Sequence, residues 1–122
     1  MSSGMLRRRM ASKVRRELAT GFYAVIVLMM LGKYGACYGY KLIKLIKELS
    51  EGFLNPSEST VYGLLRSFER DGLVTSYWAE SEGRVPRKYY ELTDKGREFL
   101  EEVVGLVDSF LEAVGRVRGE LR

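Results

Sequence analysis

Apolar side chains recur at helical spacing in four stretches of the chain and switch to strand-like runs in two short ones. In the first stretch Leu6, Met10, Val14 and Leu18 return every four residues, which puts them on one face of a helix. The apolar run Phe22 to Leu31 continues that face. The pattern predicts a helix over about 5–31, with a bend or break at Thr20-Gly21 and an end at Gly32 and Gly35.

A second helix is predicted from Tyr38 to Ser50. Leu42, Leu45, Ile46 and Leu49 make one apolar face, Lys41, Lys44 and Lys47 fall on other sides, and Gly52 stops it. The third opens at Asn55-Pro56-Ser57, with Ser57 as N-cap, and closes at Asp71-Gly72. Val61, Leu64, Leu65 and Phe68 are its apolar positions; Ser59, Tyr62, Gly63, Arg66 and Arg70 lie opposite, with Thr60 on the flank.

The period then changes. Leu73 to Ala79 and Arg87 to Thr93 are rich in β-branched and aromatic residues, and the polar connector between them contains Gly83-Arg84-Val85-Pro86. These runs predict a β-hairpin with a basic tip. Neighbours on a strand face opposite ways. One side of the Tyr77-Trp78 pair therefore faces the core, and Trp78 is expected to be packed. Of Tyr89 and Tyr90, one is expected to be packed and the other to be left for contact outside the core.

Thr93-Asp94 is a second cap and starts a helix predicted to run to the end of the sequence. Val103, Val107, Phe110, Val114, Val117 and Leu121 step by 4, 3, 4, 3 and 4 residues, a heptad seam. Leu100, Val104 and Leu111 form a neighbouring stripe. The seam is too long to bury on so small a body, so a second copy of the chain is the expected cover, with the first helix joining the interface. Gly105, Gly115 and Gly119 each cost the helix about 1 kcal/mol of propensity. Close helix approach at an interface, or a frayed tail, accounts for them.

Taken in order, these elements describe a mainly α fold with a small β-hairpin. It is a winged helix-turn-helix over 17–93, followed by a long C-terminal dimerisation helix over 94–122 and preceded by a basic extension of helix one over 1–16. In a helix-turn-helix the second helix enters the major groove of duplex DNA and the first crosses the backbone. Ser57, Ser59, Thr60 and Tyr62 stand near the N-terminus of that second helix, where hydroxyls reach base edges, and Arg66 can reach a guanine or a phosphate. The free amides at the same N-terminus also favour phosphate. Lys41, Lys44, Arg84, Arg87 and Lys88 would neutralise backbone charge and make binding depend on salt. A winged helix can instead serve protein–protein contact in a transcription or chromosome complex. That use favours an acidic or apolar recognition face, unlike this one.

Composition narrows the chemistry. The 122 residues suit one domain, and histidine is absent, which excludes imidazole acid–base catalysis and imidazole metal sites. The single cysteine, Cys37, rules out an internal disulfide and argues against zinc and iron–sulfur sites. It reads as a small packed residue, or else as a redox sensor acting between subunits. No phosphate-binding glycine loop or nucleophile motif is present, so neither an enzyme nor a cofactor is expected.

The net charge of +4 is unevenly spread. Residues 1–50 hold ten Lys/Arg against two acids, and residues 51–122 hold ten against fourteen, so the first half is the side expected to meet a polyanion. The stretch Arg7-Arg8-Arg9 to Lys13-Arg15-Arg16 reads either as an arm toward flanking DNA or as a solvated helix end. The ten apolar residues Phe22 to Leu31 are too few to span a bilayer, and no small-residue cleavage site follows them. They read as buried helix in a cytoplasmic protein with no membrane partner.

The order and spacing of several short motifs point further. Tyr38-Gly39-Tyr40, Pro56-Ser57-x-x-Thr60-x-Tyr62, Leu65-Arg66, Asp71-Gly72-Leu73, Gly83-Arg84-x-Pro86-Arg87-Lys88-Tyr89-Tyr90 and Leu92-Thr93-x-x-Gly96 resemble PadR-family transcriptional regulators over roughly Glu17 to Leu100. The single C-terminal helix resembles the smaller subgroup of that family. The resemblance implies a homodimeric repressor on pseudo-palindromic promoter sites. It also implies release of the DNA by a small aromatic or drug-like effector bound near the dimer interface. By position, Thr60 and Tyr62 become recognition-helix contacts, Tyr38 and Tyr40 open helix two near the phosphates, and Arg84, Arg87 and Lys88 form the wing. Three departures stand out: Gly63 occupies a place where the family commonly has proline, the extension before about Glu17 is unusually basic, and the C-terminal helix has no tryptophan to stack on a planar effector.

Overall fold

In the computed structural model, which describes residues 2–80, 83 and 85–120, the elements run α1 (Ser3–Tyr34), β1 (Cys37–Tyr38), α2 (Gly39–Leu49), α3 (Glu58–Arg70), β2 (Val74–Glu80), β3 (Pro86–Leu92) and α4 (Asp94–Arg118). Among the described residues, three of the four helices begin at a side chain that satisfies a free amide. Ser2 accepts from the Met5 N–H, Ser57 from that of Thr60, and Thr93 from that of Gly96.

Helix α1 is longer than its apolar pattern suggested and has no break at Thr20-Gly21. The Thr20 hydroxyl donates to the Arg16 carbonyl 2.8 Å away, and the turns that follow carry the buried residues Val27, Leu28 and Leu31. The hydroxyl bonds back to the carbonyl four residues earlier, a contact that can bend a helix, yet the helix runs on through it. Helix α3 ends on Gly72 in the left-handed region, φ 77°. There the Leu73 N–H reaches the Phe68 carbonyl at 2.8 Å and the Gly72 N–H that of Glu69 at 3.1 Å. This double bond pattern closes a helix in a tight turn and delivers the chain straight into β2.

Among the described residues the sheet has three antiparallel strands in the order β1-β3-β2, one more than the expected hairpin. The extra strand, β1, has only two residues and pairs Cys37 with Tyr90 and Tyr38 with Tyr89. The core gathers Val27, Leu28 and Leu31 from α1, Leu42 and Ile46 from α2, Val61, Leu65 and Phe68 from α3, and Leu73, Val74, Tyr90 and Leu92 around the sheet. Cys37 sits among them, fully buried, as the small packed residue expected.

Three expectations about packing are corrected. Trp78 is 69% exposed, because β2 leaves the core after Val74 and its outer half has no layer above it. Leu49 is exposed at the last turn of α2, beyond the reach of the core. Gly119 is not inside α4 but caps it, with φ 49°. Tyr90 is the buried member of the Tyr89-Tyr90 pair. Along the heptad seam Val103 is buried and Val107 half-buried, while Phe110, Val114 and Val117 are exposed, the last at 88%. Leu121 lies outside the described residues. Gly105 and Gly115 face open space.

Candidate nucleic-acid interface

The start of α3 is a compact hydroxyl cluster. Ser57 Oγ accepts the Thr60 N–H at 3.1 Å, donates to Thr60 Oγ1 at 2.9 Å, and lies 3.2 Å from Ser59 Oγ. Capping geometry fixes these groups beside the free amides of the first turn. Tyr62, one turn on, lies against α2. Its ring occupies the space a side chain on Gly39 would take, with the phenol oxygen 2.8 Å from where that carbon would stand. Gly39 thus lets the two helices of the motif approach closely, and Tyr62 is a packing residue as well as a surface one. Arg66, a further turn along, is exposed.

The turn between α2 and α3 is anchored from below by α1. Arg15 donates to the Phe53 carbonyl at 2.6 Å and places its guanidinium 4.3 Å from the Phe53 ring centre. The Asn55 N–H donates to the Tyr23 hydroxyl at 3.3 Å. Within the turn the Leu54 N–H donates to Ser50 Oγ at 2.9 Å. Arg15 is therefore committed to the fold and is not part of a free basic arm. Its sequence neighbourhood gave no sign of this, because the partner is 38 residues away.

The two faces of the sheet differ. On the outer face Tyr77 stacks on Tyr89 at 5.8 Å, Tyr89 meets Tyr38 edge-on at 5.4 Å, and the Arg87 guanidinium lies 4.9 Å from the Tyr38 ring. Tyr38 is thereby tied into the sheet at the threshold of α2, and Arg87 is preorganised by an aromatic ring. The opposite face turns to α3: the Ser76 hydroxyl donates to the Glu69 carboxylate, and Lys88 holds its ammonium 5.7 Å from the centre of the Tyr90 ring. Burial pushes the Tyr90 phenol above its usual value; Glu69 and Tyr62 push the same way and Arg66 opposes them. Arg66 and Lys88 thus flank Tyr90 from two different elements.

Tyr40, Lys41 and Lys44 are exposed on α2, where Tyr40 and Lys44 border a shallow cleft with Lys47, Glu48 and Asn55. Arg84, expected at the wing tip, lies outside the described residues. Among the described residues the only ion pair joins Arg97 to Asp94, and Lys41, Lys44, Arg66, Arg87 and Lys88 stand outside it. No cluster of three or more potential metal ligands occurs among those residues.

Known proteins share this fold. A PadR family transcriptional regulator from Eggerthella lenta superposes with a TM-score of 0.79 at 31% identity, over 95% of this chain and 98% of that one. A PadR family transcription regulator from Clostridium difficile gives 0.69 at 31% identity, over 80% and 99%. The transcriptional regulator YqjI of Escherichia coli is 32% identical over 88 residues, which is 72% of this chain but only 40% of that longer protein. Residues 27–102 match the profile of the Transcriptional regulator PadR-like family, from the buried end of α1 into α4. The chain belongs to the PadR-like family of transcriptional regulators.

Proposed function

We propose that the protein is a repressor that binds a pseudo-palindromic promoter site as a homodimer. In this reading α3 enters the major groove with Ser57, Ser59, Thr60, Tyr62 and Arg66, while Tyr38, Tyr40, Lys41 and Lys44 follow the phosphates. Arg87 and Lys88 stand on the wing, and Arg84, outside the described residues, joins them by sequence position as a phosphate contact. The observation that carries it is that the basic side chains of α2, α3 and β3 have no carboxylate partner among the described residues. A duplex offers dense negative charge to such a surface, and its affinity falls steeply with salt.

The dimer half of the proposal rests on exposed apolar side chains in two parallel stripes. Met10, Val14 and Leu18 on α1 and Leu106, Phe110, Val114 and Val117 on α4 are all exposed, and a run of exposed apolar side chains marks a surface suited to a partner. The division into extension, winged domain and dimerisation helix at residues 17 and 94 follows from the same reading. A small aromatic effector would suit the cleft of about 360 Å³ between α1 and α4, lined by Phe22, Val25, Val107 and Phe110. Among the described residues no helix is long and apolar enough to cross a membrane. A cytoplasmic site, beside the chromosome, fits a regulator of this kind.

Gel retardation with the promoter of its own gene tests the reading, with sedimentation run on the same sample. The expected result is a dimer whose DNA complex weakens as salt rises. A strictly monomeric protein, or binding indifferent to salt, contradicts it. A panel of aromatic compounds should raise the melting temperature and release the DNA if the effector cleft is used.

A further inference from the structure

We propose that Trp78 is a DNA-contacting residue, packing its ring on the sugar of a nucleotide whose phosphate is held between Arg66 and Lys88. This rests on reading α3 and the wing as the DNA face, and adds to it an apolar contact that the basic residues cannot supply.

Strand parity supplies the direction. In the antiparallel register Val74 pairs with Leu92, Ser76 with Tyr90 and Trp78 with Lys88. These pairs share one face of the sheet. Val74, Leu92 and Tyr90 on that face are buried in the core, and Ser76 reaches Glu69 on α3. Trp78 and Lys88 are the next pair outward on the same face, so they rise on the α3 side of the wing, beyond the edge of the core. The largest side chain of the protein stands there 69% exposed, with no ring partner among the described residues.

Charge identifies the occupant. The groups bordering this corner are Arg66 and Glu69 from α3 and Lys88 from β3. Glu69 accepts from the Ser76 hydroxyl and keeps its charge, so the corner holds two cations against one carboxylate and is net positive. A corner with a cation on each wall and an exposed indole at its rim fits an anion joined to an apolar ring. The sugar–phosphate unit of a DNA strand has that chemistry. An apolar protein surface would leave both cations desolvated and unpaired, at considerable cost.

Trp78 is the only tryptophan, so its emission reports this contact directly. A dye-labelled duplex from the promoter of its own gene, and a mixed-sequence duplex at low salt, would be titrated while tryptophan emission and dye anisotropy are both recorded. Binding should quench or shift the emission in step with the anisotropy. Trp78→Ala should weaken affinity about tenfold, the scale of one aromatic contact on a nucleotide, while Trp78→Phe keeps most of it. The salt slope should not change in either variant, since no phosphate charge is lost. Duplex binding with unaltered emission, and full affinity in Trp78→Ala, overturns the proposal and leaves the DNA-binding reading intact. Emission that follows protein concentration and ignores DNA also overturns it, assigning the indole to contact between copies. Absence of duplex binding removes both. Should Trp78→Ala fail to fold, the emission of the unaltered protein decides.

Discussion

The backbone of Gly96 lies directly against that of Leu73: a Cβ at position 96 would collide with the Leu73 carbonyl oxygen and stand 3.0 Å from its carbonyl carbon. The first turn of α4 is thereby seated on the start of β2, and Thr93 reinforces the seat. Its hydroxyl donates to the Gly72 carbonyl at 2.7 Å and its N–H to that of Leu73 at 3.0 Å. Because the obstacle is backbone, no change of rotamer relieves it. Gly96→Ala should destabilise the protein by about 1–3 kcal/mol, read as a lower urea midpoint. Gly63, with nothing within 4 Å of its missing side chain, is the control inside a helix. Gly63→Ala should stabilise by roughly 0.5–1 kcal/mol. Equal effects at the two positions would show that the Gly96 seat carries no constraint.

A charge placed on the outer seam should separate the proposed dimer. Phe110 touches Phe22 of α1 edge-on, with ring centres 6.2 Å apart, yet stays more than half exposed, and Val114 and Val117 follow it along α4. Val114→Glu puts a carboxylate in the middle of this stripe without disturbing a buried residue. Sedimentation equilibrium should show a shift from dimer to monomer, with helical content by circular dichroism largely kept. An unchanged dimer would move the interface elsewhere.

The elements were legible because their signals are local. The Ser57 cap with Val61, Leu65 and Phe68 defines α3, and β-branched and aromatic runs define β2 and β3. Strand β1 was not, since a two-residue strand has no period to read and owes its existence to pairing with β3. Trp78 was misjudged for a related reason. Alternation along β2 gives the face correctly, but only the length of the strand relative to the core decides whether that face is covered. Arg15 looked like part of a charge run, and its contact with Phe53 depends on how α1 packs under the turn. On the candidate DNA face, the residue types were readable, whereas the Tyr38–Tyr89–Tyr77 ladder and the Arg87 stack arise only when three strands come together.

Cys37 and Tyr90, paired across β1 and β3, make alkaline pH destabilising. Burial raises the Cys37 thiol above its usual value, opposed by Lys41, and burial likewise leads the rise at Tyr90. Both groups hold their protons more tightly folded than unfolded. Their contribution is therefore fully present below the ordinary thiol and phenol values, and is lost as pH rises through the raised ones. Urea midpoints should fall along the alkaline limb, less steeply at its lower end in Cys37→Ala. At neutral pH a thiol reagent should label Cys37 only as the protein opens. Rapid labelling of the folded protein would contradict the burial argument.

The basic residues of the interface can be sorted by salt dependence. A side chain that neutralises a phosphate contributes about 0.9 to the slope of log affinity against log salt. Arg66→Ala and Lys88→Ala should each reduce the slope by nearly that amount, because neither residue has a carboxylate partner among the described residues. Arg97→Ala is the matched control: its guanidinium already pairs with Asp94 at 2.6 Å and donates to the Leu92 carbonyl at 3.2 Å. Its slope should not change, although the seat of α4 loses some stability. Arg87 tests a different point, since removing it takes away both a cation and the ring contact with Tyr38. Arg87→Lys restores the charge without the planar stack. If Arg87 acts only as a cation, the lysine variant binds as the parent does. If the stack aims the charge, the slope recovers while the affinity stays below that of the parent, and the sheet's outer aromatic face is then part of the DNA-binding apparatus.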